Sequence, residues 1–352
     1  MAQHVASAPA LRHNDAQQGG PPNSKSPPRR EPSRHTYGAI DLGTNNCRLL
    51  IARPVGGGFT VIDAFSRVVR LGEGLSQSGM LSDEAMDRAV EALGICSDKL
   101  RRRNVSLSRS VATEACRRAR NGRDFAERVR DETGIVLDII APQEEARLAV
   151  LGCHKLLEPG DGPALIFDIG GGSTELVLID QQEGTPRIRS WWSAPWGVVS
   201  LTESEGREAL EGADRVLAYE RMRERARRAF ARFAAMLPPV EDGIRLLGTS
   251  GTVTTLASVH LALPTYDRRA VDGLHVPIEA MRRISSMIAA MDHDERATLP
   301  CIGNERADLV VAGCAILEAI IEIWPAKNLG VADRGIREGI LRSLMARDGH
   351  RL

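Results

Sequence analysis

The sequence predicts an α/β protein made of two similar halves that face a shared cleft. Three observations carry that expectation: two glycine-rich segments of one design, a spacing that keeps their flanks aligned, and strands alternating with helices from Tyr37 onward. The segments are Asp41-Leu42-Gly43-Thr44-Asn45 and Asp168-Ile169-Gly170-Gly171-Gly172-Ser173-Thr174-Glu175. Their aspartates stand 127 residues apart, and the same offset aligns Leu49, Leu50 and Ile51 with Leu176, Val177 and Leu178. Self-similarity at a fixed offset indicates homologous half-molecules.

Each copy reads as strand, tight turn, strand, over 37–40 and 47–52 in the first and 164–167 and 175–179 in the second. Gly43 and Gly170 to Gly172 are residues able to take positive φ and to admit a ligand close to the backbone, the geometry of an anion-binding nest. Hydroxyls of Thr44 and Ser173 add donors. The aspartate heading each turn, Asp41 or Asp168, sits at a strand end, where it can hold a hard cation such as Mg²⁺ directly or through water. One such turn is commonly only a hairpin; two in register point to paired phosphate loops.

In the first half Gly56-Gly57-Gly58 turns the chain into a strand over 59–64, and 66–71 reads as a further strand. In the second, Glu183-Gly184-Thr185 leads into a strand over 187–193, the same meander. Ser82 is the expected N-cap of a helix with Asp83 and Glu84 in its first turn and an apolar stripe of Met86, Ala89, Val90, Leu93, Cys96 and Leu100, ending at Asn104. A strand over 105–111 then runs into a helix opening at 112–117, and a strand over 244–247 runs into Gly248-Thr249-Ser250-Gly251-Thr252 and another helix. Helix N-termini that follow strands offer free N–H groups and a favourable dipole to phosphate, and the second is richer in glycine and hydroxyls. Between the halves, Pro142 starts a helix with Glu144 and Glu145 in its first turn. Acidic residues there complement the helix dipole, but a helix crossing between two halves also lets a carboxylate face the cleft.

Composition bounds the function classes. The 352 residues, 43% hydrophobic, suffice for two cores, and a formal charge of zero does not mark a nucleic-acid binder. Six cysteines without a CxxC pair fit a reducing cytoplasm and no zinc site. Residues 1–36, rich in Pro, Ser, Gln and Arg, are expected to be a disordered tail; no secretory signal and no membrane span is read in the chain.

Beyond these readings, AIDLGTNNCRLLIA at 39–52, RLGEGL at 70–75, ATEACRRARN at 112–121, APQEEARLAVLG at 141–152, FDIGGGSTELVLI at 167–179, PWGVVSLTE at 195–203, GTSGTVTTLA at 248–257, ERADLVVAGCAIL at 305–317 and DRGIREGIL at 333–341 resemble, in order, the exopolyphosphatase / guanosine pentaphosphate phosphohydrolase (Ppx/GppA) family. The resemblance implies the actin, sugar-kinase and heat-shock-chaperone superfold, a duplicated ribonuclease-H-like α/β architecture. Domain I is then expected over 37–146 plus 337–352, and domain II over 147–336.

The resemblance also implies roles. Glu145 is expected to activate the attacking water, Asp168 and Glu175 to serve Mg²⁺ and phosphates, and Gly170, Gly171, Gly172 and Ser173 to bind phosphate. Asp41, Gly43, Thr44, Asn45 and Arg48 correspond to the first phosphate loop, and Arg117 to an arginine expected to contact substrate phosphate. Asn46 departs from the serine more usual in the family. The chain stops at Leu352, where longer members continue into a helical domain resembling HD phosphohydrolases; the isolated His293-Asp294 pair reads here as a surface turn.

The expected activity is Mg²⁺-dependent release of terminal orthophosphate from inorganic polyphosphate, in a bacterial cytoplasm. Guanosine pentaphosphate phosphohydrolysis in the stringent response is the first alternative, followed by polyphosphate:ADP phosphotransfer and by a nonenzymatic guanosine tetraphosphate-binding module. A polymer needs a basic track, for which 101–103, Arg117, Arg118, Arg120 and the helix over 221–232 are candidates; a purine needs a stacking surface, for which Trp191, Trp192 and Trp196 are candidates. The family also implies a homodimer, although no interface is legible in the residues.

Overall fold

Two mixed sheets organise the chain, one in each half. The structure is a computed structural model that describes residues 35–350 apart from 161, 183–184, 238–242 and 305, so the expected tail and the turn at Glu183-Gly184 lie outside the described residues. The first sheet has the order β3-β2-β1-β4-β5, from β1 (Tyr37–Leu42), β2 (Asn46–Val55), β3 (Gly58–Val68), β4 (Leu107–Ala112) and β5 (Leu137–Ile139). The second has β6 (Pro163–Ile169), β7 (Thr174–Gln182), β8 (Thr185–Ala194), β9 (Arg245–Thr249), β10 (His275–Pro277) and β11 (Asn328–Ala332) in the order β10-β11-β9-β6-β7-β8.

The helices are α1 (Leu75–Ser78), α2 (Asp83–Arg102), α3 (Glu114–Arg118), α4 (Gly122–Thr133), α5 (Pro142–Cys153), α6 (Val198–Glu205), α7 (Arg207–Glu211), α8 (Arg215–Ala234), α9 (Gly251–His260), α10 (Arg268–Val271), α11 (Ile278–Ala290), α12 (His293–Thr298), α13 (Val310–Ile323) and α14 (Ile336–Arg347). The Ser82 hydroxyl caps α2 by accepting from the Ala85 N–H. Apolar faces of α8, α9, α11 and α13 build the core of the second half against β6, β7 and β9, while α2 and α4 cover one face of the first sheet.

The duplication extends to hydrogen bonds and bulges. In both halves an antiparallel three-strand meander is joined by a parallel fourth strand, β4 beside β1 and β9 beside β6. Asp41 pairs with Arg48 across β1 and β2, and Asp168 with Glu175 across β6 and β7. Each meander is bulged at the same place, between Ile51 and Ala52 and between Leu178 and Ile179, again 127 residues apart. A bulge increases local twist and re-aims a strand.

Two boundaries differ from expectation. The segments 59–64 and 66–71 are one strand, β3: Ser66 and Arg67 continue the pairing with β2, and only at Val69 and Arg70 does the chain leave it, both N–H groups donating to the Asn45 carbonyl. Polar side chains on a strand's open face do not interrupt the ladder. His293-Asp294 opens helix α12 rather than forming a turn, because Asp292 caps it reciprocally with Glu295.

Between the sheets run α5 and α14. Leu148 and Ala149 of α5 pack on the first-half side with Tyr37, Ala39 and Leu50, whereas Ala146, Val150 and Cys153 pack on the second-half side with Ala164, Ile166 and Val177. The last helix, α14, returns to pack on β1, β2 and β4. The two helices meet backbone to backbone: a Cβ on Gly339 would lie 2.0 Å from the Leu148 carbonyl oxygen, and one on Gly152 equally 2.0 Å from that of Gly335. The boundaries proposed at 146 and 336 thus fall inside α5 and at the first residue of α14. Glu203 of α6 adds a tie between the halves, accepting from the Gly74 N–H at 2.9 Å and from the Ser76 hydroxyl.

Candidate active site

The two loops close with the same bond, Gly43 N–H to the Asn46 carbonyl and Gly170 N–H to that of Ser173, each 2.9 Å. None of Gly43, Gly170, Gly171 or Gly172 adopts positive φ, so the expected left-handed nest is not formed. In the second loop the small residue is required by close approach instead. A Cβ on Gly171 would lie 2.8 Å from Thr44 Cβ and 3.2 Å from the Asn45 nitrogen, and one on Gly172 would lie 2.9 Å from the Thr44 hydroxyl oxygen. Gly43 meets nothing nearer than 3.6 Å. The loops of the two halves therefore touch, the second yielding its side chains to Thr44 of the first.

A cleft of about 140 Å³ opens beside this contact. Asp41, Gly43, Thr44, Asn45 and Arg48 line it from the first half, Asp168, Gly170 to Ser173 and Glu175 from the second, with Ser250, Gly251 and Thr252 at the start of α9 and Glu145 from α5. Ser250 stands at φ 142° and ψ 171°, a region that side-chain-bearing residues rarely occupy, while its hydroxyl caps α9 by accepting from Val253 N–H. Strain of this kind collects where surrounding structure holds a functional geometry.

Three expected residues do not line the cleft. Gly248 accommodates the Phe167 ring, which would stand 2.7 Å from a Cβ there, and the Thr249 hydroxyl donates to the Arg334 carbonyl at 2.9 Å. Both belong to β9, and only the residues after the strand's end turn toward the cleft. Arg117 lies behind Glu145: its guanidinium donates to Glu145 Oε2 at 3.0 Å, to the Ile140 carbonyl at 2.7 Å and to Glu114 Oε2 at 2.7 Å. The guanidinium thus ties Glu145 to Glu114 and to the Ile140 carbonyl. Lining residues that the sequence did not single out include Thr113, Glu114, Thr255 and Arg306, the last donating to Thr255 Oγ1 at 2.9 Å. Arg306 stands in the string at 305–317 that carried part of the resemblance, but no role was attached to it; its place on the cleft is set by the packing ahead of α13.

The candidate track and stacking surfaces also resolve. On α8, Arg221 and Arg225 pair with Glu205 of α6, Arg223 with Glu220, and Arg227 and Arg228 with Glu224, so five arginines of that face share three carboxylates. Arg101 pairs with Asp98, and Arg103 with Asp63. Trp192 and Trp196 pack against the second-half core and Trp191 against the cluster beneath α5, and none of the three lines the cleft.

Electrostatics single out the acids. Glu145 is 6% exposed; burial pushes its carboxyl well above the usual range, the Glu175 charge adds to this, and Arg117 opposes it. Burial likewise raises Asp168, with Glu175 and Asp41 adding, to about 8, and raises Asp41 against the pull of Arg48. Glu175 is raised by burial while the Ser173 and Ser193 hydroxyls, both donating to its Oε1, hold it down. Arg48 forms no ion pair of its own among the described residues. The centre is thus crowded with acids and short of positive charge, a state that an added cation relieves.

That donor set fits Mg²⁺. The carboxylates of Asp41 and Asp168 have no hydrogen-bond or ion-pair partner among the described residues. No three His, Cys, Asp or Glu side chains of the described residues gather closely enough to enclose a metal by themselves. Mg²⁺ does not need such a cage, since it is usually held by one or two carboxylates together with water and substrate phosphate.

The sequence profile of the Ppx/GppA phosphatase family matches residues 50–348. The chain belongs to that family. It is 31% identical over 320 residues to Exopolyphosphatase 2 of Mycobacterium tuberculosis, spanning 87% of this chain and 97% of that one. The solved Ppx/GppA family member of Aquifex aeolicus superposes with a TM-score of 0.73 at 29% identity, covering 90% of this chain and 99% of that one. An exopolyphosphatase-like protein superposes at 0.78 with 26% identity, covering 89% and 99%. This Ppx/GppA protein is therefore an enzyme of a hydrolase family, with the duplicated ribonuclease-H-like fold of the actin and sugar-kinase superfold.

Proposed function

We propose that this protein is an exopolyphosphatase, releasing terminal orthophosphate from inorganic polyphosphate by Mg²⁺-dependent hydrolysis in the cytoplasm. The observation that carries the reading is Glu145: buried on the cleft wall, held at Oε2 by Arg117, with Oε1 unpartnered among the described residues. A carboxylate oriented by one oxygen and free at the other, with its affinity for protons raised by burial, suits a general base.

In this reading the terminal phosphoryl group enters between the loops, where Arg48, the start of α9 and Arg306 face it with positive charge and N–H groups. Glu145 orients a water and takes its proton as the oxygen attacks phosphorus; the anhydride bond breaks, giving orthophosphate and a chain shorter by one unit. Asp168 and Glu175, with Asp41 beside them, would hold Mg²⁺, which supplies neutralisation of phosphate charge. The names of the relatives support polyphosphate as substrate, and the absence of an aromatic side chain among the lining residues gives a purine nothing to stack on. Among the described residues no helix is long and apolar enough to cross a membrane.

The test is orthophosphate release with Mg²⁺ from long-chain polyphosphate and from guanosine pentaphosphate at matched terminal phosphate, with ATP formation from ADP assayed in parallel. Polyphosphate is expected to be turned over faster, and Glu145→Ala to lose about 10²- to 10⁴-fold in rate while staying folded. Preference for the nucleotide would make the enzyme a guanosine pentaphosphate phosphohydrolase. A Glu145→Ala protein with parental turnover would remove the assigned base.

A further inference from the structure

Glu175 and Ser193 face each other in register across β7 and β8. Directly opposed residues of antiparallel strands project to one face of the sheet, so the serine meets the acid where the acid turns to the cleft. The Ser193 hydroxyl donates to Glu175 Oε1 at 2.9 Å, and the Ser173 hydroxyl donates to the same oxygen at 2.8 Å. Both donors therefore engage one oxygen, one from the loop and one from the neighbouring strand. The other, Oε2, has no partner among the described residues, although the side chain is only 2% exposed and lines the cleft.

The duplicated position argues that this hydroxyl is not a requirement of the sheet. In the first half Ser66 opposes Arg48 in the same register, and no hydrogen bond joins them. The meander forms there without that contact.

We propose that Ser193 is a positioning residue for hydrolysis: together with Ser173 it fixes the rotation of the Glu175 carboxylate and presents Oε2 to the cation and phosphate in the cleft. The inference rests on the reading of Glu175 as a Mg²⁺-site acid. Ser173 alone would hold Oε1 from a glycine-rich loop; Ser193 adds a donor from a regular strand, which limits swinging of the carboxylate about its last bond.

Ser193 lies on β8, the edge strand of the second sheet, where alanine removes one oxygen and leaves the ladder intact. Ser193→Ala is expected to melt near the parent temperature but to bind Mn²⁺, followed by electron paramagnetic resonance, about 10-fold more weakly, as loss of an outer-shell partner does. The Mg²⁺ concentration for half-maximal phosphate release should rise in parallel, with the KM for polyphosphate at saturating Mg²⁺ little changed. Ser193→Thr, which keeps the hydroxyl, should restore both. Parental Mn²⁺ affinity and Mg²⁺ dependence in Ser193→Ala, with Glu175→Gln defective in both, would overturn the role of Ser193 alone. Parental behaviour of Glu175→Gln as well would overturn the metal-site reading beneath it.

Discussion

In the first half of the cleft the residue opposed to the loop aspartate is Arg48; in the second it is Glu175. The backbones around them match in register, in the bond that closes each loop and in the position of the bulge. Duplication supplied one strand–turn–strand geometry twice, and divergence at a single pair of positions placed a cation on one wall and an acid on the other. In the proposed reaction a phosphate with its metal would draw on both, which two identical copies of one frame could not offer. The loops differ in a second respect. Gly171 and Gly172 are pressed against Thr44, while Gly43 has room around it.

The largest effect should come from the crowded loop. Gly171→Ala is expected to push Thr44 and the Asn45 backbone away and to lower turnover about 10²-fold, since a displacement near 1 Å at a reacting centre costs that much. Gly43→Ala should leave the rate near the parent value. Equal losses in phosphate-release assays of the two variants would break the distinction between the loops.

Next is the charge asymmetry. Arg48→Gln is expected to weaken use of polyphosphate, as kcat/KM, by about 10- to 100-fold, the range for a charge-assisted hydrogen bond. If Arg48→Gln instead left kcat/KM unchanged, the cationic wall would have to be assigned to α9 and Arg306.

A smaller effect tests the tie between the halves. Glu203→Ala removes the acceptor of the Gly74 N–H and the Ser76 hydroxyl. It is expected to make the segment around α1 more open to limited proteolysis and to raise KM more than it lowers kcat.

The smallest concerns stability beside Glu145. Hydrogen bonds from Arg147 and then Arg109 hold Glu144 down at about 2 from the usual 4.5. Its folded value lies below its unfolded one, so its contribution is full above the unfolded value and is lost as pH falls toward the folded one. The melting difference between parent and Glu144→Gln should therefore shrink as the pH is lowered through that window. A difference that stayed constant would show that the ion pairs add nothing.

Much of this was legible in the residues. The loops, the Ser82 cap and the Pro142 helix start rest on local rules, in which neighbouring residues set the backbone, and each of them is found. The break expected after Ala64 failed because ladder pairing with β2 overrode the polar pair at 66 and 67. The site was harder. Ser250 to Thr252 reach the cleft and Gly248 and Thr249 do not, although all five belong to one short string, because the change from strand to helix falls between them.

By itself the sequence determined that there are two copies, where their loops lie and which acids head them, since these are set by composition and spacing along the chain. Only the tertiary structure decided that the loop glycines serve contact rather than positive φ, that Arg117 stands behind Glu145, and that Arg306 enters the cleft. Those outcomes depend on which distant segments are pressed together by burial between the sheets, and no local pattern encodes that distance.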